Sequence, residues 1–286
     1  MLALAGATAT SCGDVNGALE KVSEARQLAA DLLVQFTKAS DAANRAVMAD
    51  TDDTSVAFAR ESREAAERVQ KDLSTLRPML ESLGYADETR LINEFANRFA
   101  EYRMLDQRIL DLAVENTNLK AQRIAFGPAQ EAANAFRDAL KAVTSAAGRS
   151  GKDAWQVEAL AATAVTTVRE IQVLQAPHIA DADEAVMTRM EKEMATSEAA
   201  ARRALDALRT ILPPSGQGQL RTATVALDRF TDFNTQIITL SRRNTNVRSL
   251  ALSLDQKQKI TTSCEESLHA LQAALAKRGF TNIRER

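Results

Sequence analysis

Two stretches of this chain repeat one another. Ile109-Leu-Asp-Leu-Ala-Val-Glu-Asn-Thr-Asn-Leu-Lys-Ala121 aligns with Ile237-Ile-Thr-Leu-Ser-Arg-Arg-Asn-Thr-Asn-Val-Arg-Ser249, with residue numbers differing by 128 throughout. Upstream, Val22 to Ala46 aligns with Ala154 to His178 at a difference of 132. The discrepancy falls within one turn, Glu81 to Asp87, which is longer in the first copy. A constant offset on each side of a single turn marks two copies of one plan, so whatever fold the chain adopts has to serve both.

The repeated plan is helical. From Val15 to Ala46 the apolar positions advance in alternating steps of three and four, through Val22, Ala29, Leu32, Phe36 and Ala43. That is a heptad seam. A second seam carries Phe58, Ala65, Val69, Leu76 and Met79, with Pro78 expected to distort its last turns. A third carries Ile92, Phe95, Phe99, Tyr102 and Ile109, and a fourth Phe126, Ala129, Ala133, Phe136, Leu140 and Val143. The second copy repeats the series. Ala154 to Ile171 ends near Pro177-His178, and Met187 to Ile211 ends at Pro213-Pro214. Leu220 to Ile237 follows, then Leu250, Leu254, Cys264, Leu268, Leu271 and Leu275. Breaks are expected near 50, 85, 117, 149, 180, 214 and 245, where capping residues, Gly and Pro collect. Asn-Thr-Asn suits a helix–helix turn, because Asn tolerates the left-handed conformation and also caps the next helix. The expected fold is therefore all-α: two tandem antiparallel up-down four-helix bundles, eight helices, with bundle 1 at 13–148 and bundle 2 at 151–280.

Composition agrees and narrows the function. Gly is 10 and Pro 5 of 286 residues, too few to punctuate a β or α/β chain. The formal net charge of −2, from 36 basic and 38 acidic residues, lacks the basic footprint of a nucleic-acid binder. No apolar run reaches the length of a membrane span. Two cysteines, Cys12 and Cys264, and two histidines, His178 and His269, form no Cys-x-x-Cys or haem-attachment motif. No nucleophile elbow occurs, no cofactor is called for and no metal site is expected, so the chain reads as a non-enzyme. Residues 1–12 are small and apolar and lead to Cys12-Gly-Asp, like the end of a lipoprotein export signal, although no basic segment precedes them and Ala9 replaces the usual Leu. The expectation is export, with lipidation of Cys12 as the only membrane association. Cys264, on a seam, is expected to be a reduced core thiol.

Polar residues on an apolar seam are the candidate ligand-binding positions, since burying them costs free energy unless they are partnered. They are Asp106, its repeat equivalent Asn234, Gln175, His178 and Lys257, which stands where the first copy has Ala129. Heights along the helices put Lys257 and Asn234 in one layer with Val168, Met190 and Met194. A small organic anion is expected there, closed off by Gln175 and His178. The first copy would gather Asp106, Ser62, Ala39 and Ala129. The alternative role for such residues is to fix helix register and pairing.

Each repeat resembles the four-helix-bundle sensory domain of bacterial methyl-accepting chemotaxis receptors. The likeness is clearest from Tyr102 to Leu140: an aromatic seam, Leu-x-Leu-Ala, a polar turn, then Lys120-Ala-Gln-Arg-Ile-Ala-Phe-Gly-Pro-Ala-Gln-Glu-Ala-Ala-Asn-Ala-Phe136. The resemblance implies an extracytoplasmic, periplasmic-type sensory bundle that binds a small molecule for signal transduction. The expected associations are a small-molecule ligand, a protein partner and a homodimer, with no nucleic acid. The competing reading is a structural or protein-interaction helical lipoprotein with no small-molecule ligand.

Overall fold

The computed structural model of the chain describes residues 12–147 and 153–278. Among the described residues there is helix and turn but no strand, which establishes the all-α class. The α-helices are α1 (Cys12–Met48), α2 (Asp52–Ser82), α3 (Ala86–Glu115), α4 (Thr117–Ile124), α5 (Gln130–Ala147), α6 (Ala154–Ala180), α7 (Glu184–Ile211), α8 (Gln217–Arg243), α9 (Thr245–Leu252) and α10 (Gln258–Lys277). Five-residue π segments, Ala125–Ala129 and Ser253–Lys257, join α4 to α5 and α9 to α10. Eight uninterrupted helices therefore do not describe these residues, because the expected fourth and last helices are each split. The expected break near 149 and the leader lie outside the described residues, as do lipidation at Cys12 and that residue's side chain.

Local chemistry sets several helix ends. Thr51 caps α2 by accepting from the Thr54 N–H, and Asp183 caps α7 by accepting from the Ala185 and Val186 N–H groups. Gly84, at φ +69°, closes α2 while the Tyr85 N–H reaches back to the Leu80 carbonyl. Pro177 does not stop α6, which continues to Ala180, and α2 runs past the exposed Pro78 to Ser82.

The chain forms two compact units, one from residues 1–114 and 249–286, the other from 115–248. This corrects the division into 13–148 and 151–280. The three helices α1, α2 and α3 stay together, as do α6, α7 and α8, but the stretch after each Asn-Thr-Asn packs in the other copy's unit. Asn116 and Asn244 do adopt the left-handed conformation, at φ 50° and 52°. A left-handed residue ends one helix and starts another without dictating where the second one packs. Here it marks the place where the chain changes unit.

The first unit has an aromatic core. On α3, Phe95, Phe99 and Tyr102 fall at helical spacing and stack, with centroids 5.6 and 6.0 Å apart. Phe36 of α1 meets Phe95 and Tyr102 edge-on at 5.8 and 5.0 Å. Val69 and Leu76 of α2 and Cys264, Leu268 and Leu271 of α10 complete the cluster. Each such side chain contributes about 1.5–3 kcal/mol through burial. The second unit uses smaller residues: Ala121, Ala129 and Phe136 along α4–α5, Ala164 and Val168 of α6, Ala201 and Leu208 of α7, Leu227 and Phe230 of α8.

Candidate functional site

Three polar groupings interrupt these cores. In the first unit, Asp106 of α3 faces Lys257, the last residue of the second π segment, with Nζ 2.9 Å from Oδ1. Both side chains are buried. Ser62 Oγ donates to the Ala39 carbonyl at 2.9 Å and lies 3.2 Å from Asp106 Oδ2. The Lys257 ammonium also approaches Asn44 Oδ1 at 3.4 Å and stands 5.5 Å from the Tyr102 ring centroid. Burial pulls the Lys257 pKa below its ordinary value, with the Asp106 charge opposing. Burial and the same Asp106 charge push the Tyr102 hydroxyl well above its usual range.

In the second unit, Gln175 Nε2 donates to Asn234 Oδ1 at 2.9 Å, and Asn234 Nδ2 points at Met194 Sδ, 3.7 Å away. One turn further along α6, His178 is fully buried. Its Nδ1 lies 2.6 Å from Ser241 Oγ and its Nε2 2.9 Å from Glu191 Oε1. Arg242 forks onto Glu191 at 2.6 and 2.9 Å. The Arg242 hydrogen bonds hold Glu191 below the usual carboxylate range against its burial. Serine, histidine and carboxylate stand here in the order of a hydrolytic triad. However, Ser241 is fully buried and its hydroxyl is within reach of the Ile238 carbonyl, so no substrate carbonyl can approach it. The chain ties α6, α7 and α8 together.

The third grouping is the pair of Asn-Thr-Asn segments, both within 115–248. The Thr117 N–H donates to Thr245 Oγ1 at 3.1 Å and the Thr245 N–H to Thr117 Oγ1 at 3.2 Å. Asn118 and Asn246 exchange N–H to Oδ1 bonds, both 3.1 Å. Asn118 Nδ2 reaches Asn244 Oδ1, and Asn246 Nδ2 reaches Asn116 Oδ1. The repeated motif thus pairs with its own copy through matching bonds. Asn118 and Asn244 also donate to the Ile179 and Asp181 carbonyls at the end of α6, which lack helical partners.

The expected constellation of Lys257 with Asn234, Gln175 and His178 is not formed. Asn234 and Gln175 do meet, and His178 lies one turn further along α6. Lys257 belongs to the other unit and its charge is already matched by Asp106. The residues expected beside Asp106 were right for Ser62 and Ala39 and wrong for Ala129, whose place Lys257 takes. Phe126, Leu250 and Leu254, expected on the seam, are exposed. Across each π segment the buried positions advance by four, through Ala121, Ala125 and Ala129 and through Ser249, Ser253 and Lys257. Cys264 is a free, fully buried thiol whose pKa burial pushes up to about 12.

A feature invisible from the seams is an open groove of about 700 Å³ on the outer faces of α6 and α7. Val173 and Leu174 give it an apolar lining, and Arg169, Arg189 and Lys192 stand against Glu170 and Glu193 along it. Its residues lie off the core seam, where periodicity carries no signal. Glu266 and His269 have the spacing of a bundle metal-ligand pair, but both are exposed. Among the described residues no group of three His, Cys, Asp or Glu is placed to hold a metal ion, and no helix is long and apolar enough to cross a membrane.

No protein-family model matches the chain, and no curated protein matches it by sequence. Among solved structures it is similar to the TorS sensor domain, in a crystal structure of that domain's complex with TorT in the presence of TMAO. The TM-score is 0.33 and the identity 13%, over 91% of this chain and 99% of that one.

Proposed function

We propose that this chain is a non-enzymatic sensory module, built as two four-helix bundles, that binds a small molecule in one unit and passes the change to the other for a protein partner to read. One observation carries this reading. The chain passes between the units at 114–115 and 248–249, and the segments beside those two passages are locked to each other by reciprocal bonds. A ligand that shifts α6, α7 or α8 acts on the Asn-Thr-Asn pair through the Ile179 and Asp181 carbonyls. From there the change has a covalent path along α3 and α9. The extracytoplasmic location and the Cys12 lipid anchor belong to the same reading, as does the chemoreceptor-type use of a helical sensor.

The favoured ligand is a small organic anion at the α6–α7 groove. Arg169, Arg189 and Lys192 supply positive charge there beside apolar Val173 and Leu174. A thermal-shift screen of organic acids, amino acids and amines tests it, because a ligand that binds the native state raises its melting temperature. An acid should raise the melting temperature of the wild type and not that of Arg189→Ala/Lys192→Ala. A hit whose shift is unchanged in that variant would move the site elsewhere, and no hit from any class would remove the ligand reading. The second reading, a protein-docking module, is favoured by Val173, which is 71% exposed in the same groove.

A further inference from the structure

The heptad seam written in the sequence and the seam buried in the structure part company at one place in each copy, and in the same way. Counting back from Leu275, the seam of the last helix runs through Leu271, Leu268, Cys264 and Lys257 to Leu254 and Leu250. The structure follows it only as far as Lys257. Within and N-terminal to the π segment it buries Ser253 and Ser249 and leaves Leu254 and Leu250 65% and 37% exposed. A π turn takes in one residue more than an α turn. Everything N-terminal to it is therefore rotated by one residue's angle, about 100°. In the first copy the equivalent shift buries Ala125 and Ala121 and leaves Phe126 72% exposed.

The two π segments are held by different means. Pro128 lies inside the first. It has no N–H for the α-helical bond to the residue 124 carbonyl, and its ring would collide with that carbonyl. The residue 128 positions further on is Gln256, which keeps its N–H, so nothing covalent prevents the second segment from closing into an α-helix. Closure would turn Leu250 and Leu254 onto the buried seam. It is opposed by the hydrogen bonds that Thr245 and Asn246, on the rotated side, make to Thr117 and Asn118.

We infer that Ser253–Lys257 is a register switch. In the π register the crossing bonds are made and Leu250 and Leu254 are exposed. In the α register residues 245–254 turn by about 100° about their own axis, the two leucines are buried and the Thr245–Thr117 bonds are given up. Lys257 lies on the unrotated side and keeps its pairing with Asp106 in both registers. The first copy, pinned by Pro128, is the fixed reference. The switch rests on the sensory reading for its use, since a ligand that loosens the crossing would drive it.

Ser249, buried in the π register, turns outward in the α register and reports the switch. The test uses the full chain with Cys12→Ser and Ser249→Cys, without ligand. Thiol labelling at position 249 is followed by peptide mass spectrometry, which separates it from Cys264. Adding Thr245→Val should raise the labelling rate about tenfold, the factor one lost hydrogen bond makes in an equilibrium. Adding Gln256→Pro, which pins the π turn as Pro128 does, should return the rate to its starting value. Deleting Gln256, which lets an unbroken α-helix hold the present register, should do the same. An unchanged rate in Thr245→Val overturns the proposal, as does a raised rate that survives either second change. Failure of Gln256→Pro to fold, judged by circular dichroism, contradicts a proline-tolerant π turn and also overturns it. Because no ligand is present, failure of the sensory reading would leave these outcomes unaffected.

Discussion

The Asp106–Lys257 pair offers the sharpest test of how the first unit is held together. Its groups lie 2.9 Å apart with side chains only 6% and 2% exposed, so water screens neither charge. Removing one partner leaves the other buried and unmatched, which costs about 3–5 kcal/mol. Asp106→Leu and Lys257→Met should therefore each destabilise the unit by about that amount. Their combination replaces the pair by apolar groups of similar volume and should come out between neutral and about 4 kcal/mol more stable than wild type. With a urea dependence of about 2 kcal/mol per molar, each single variant lowers the midpoint by about 2 M and the double variant does not. The assay separates the units without dissection. Both tyrosines, Tyr85 and Tyr102, belong to the first unit and the single tryptophan, Trp155, to the second. Near-ultraviolet tyrosine dichroism follows one, and tryptophan fluorescence the other. Single variants within about 1 kcal/mol of wild type in the tyrosine signal would refute the reasoning, as would a double variant as unstable as the sum of the singles.

Further outcomes follow from the same geometry. Glu88 is buried against Arg278, which reaches its two oxygens at 2.8 and 3.0 Å, and this lowers its pKa from the ordinary 4.5. The pair stabilises the fold above that value and the contribution is lost as pH falls through the lower, folded-state pKa. Melting curves of wild type and Glu88→Gln should therefore differ at pH 6 and converge in acid, and a constant gap would contradict the sign. Cys264, with its pKa raised to about 12, should stay unmodified by a thiol reagent at pH 8 in native protein and react once the chain is unfolded. At Asn244, held at φ 52°, Ala should cost about 1–2 kcal/mol more than Gly in denaturant titrations, because only Gly occupies that conformation without strain. Equal losses would mean that the side-chain bonds alone matter there.

Much of the fold was legible because heptad seams and capping chemistry are local. Thr51, Gly84, Asp183 and the two left-handed asparagines act through their own backbone neighbourhood, so the breaks they impose could be placed from sequence. Two things were not local. A π turn adds one residue without leaving a gap in composition, and Gln256 carries no mark of it. Leu250 and Leu254 were therefore placed on a seam that the structure rotates away. The second was the choice of partners for the stretch after each Asn-Thr-Asn. Two copies of one plan present equivalent seams, and periodicity cannot say which copy a helix joins.

Charge could have said it. The seams placed one acid, Asp106, in the first copy and one cation, Lys257, in the second, each alone among apolar or neutral neighbours. An unmatched buried charge is among the most costly features a core can contain, and a matched one is tolerated. Keeping the helices of each copy together leaves both charges unmatched. Exchanging the last helix for its counterpart brings Lys257 to Asp106 and puts Ala129 into the unit of Asn234, where a neutral amide needs only Gln175. Part of the layer expected in the first copy is present, since Ser62 joins Asp106 to the Ala39 carbonyl, whereas in the second copy Asn234 meets Gln175, which was expected at a more distal level. In a tandem repeat with interchangeable seams, pairing the buried charges first selects the exchanged arrangement. On this view the Asp106–Lys257 pair serves chiefly to decide which helix completes the first unit. By the same matching, a chain carrying Lys257→Ala and Ala129→Lys should prefer the unexchanged arrangement, with position 129 beside Asp106, and disulfide cross-linking of cysteines placed on α3 and α5 checks it.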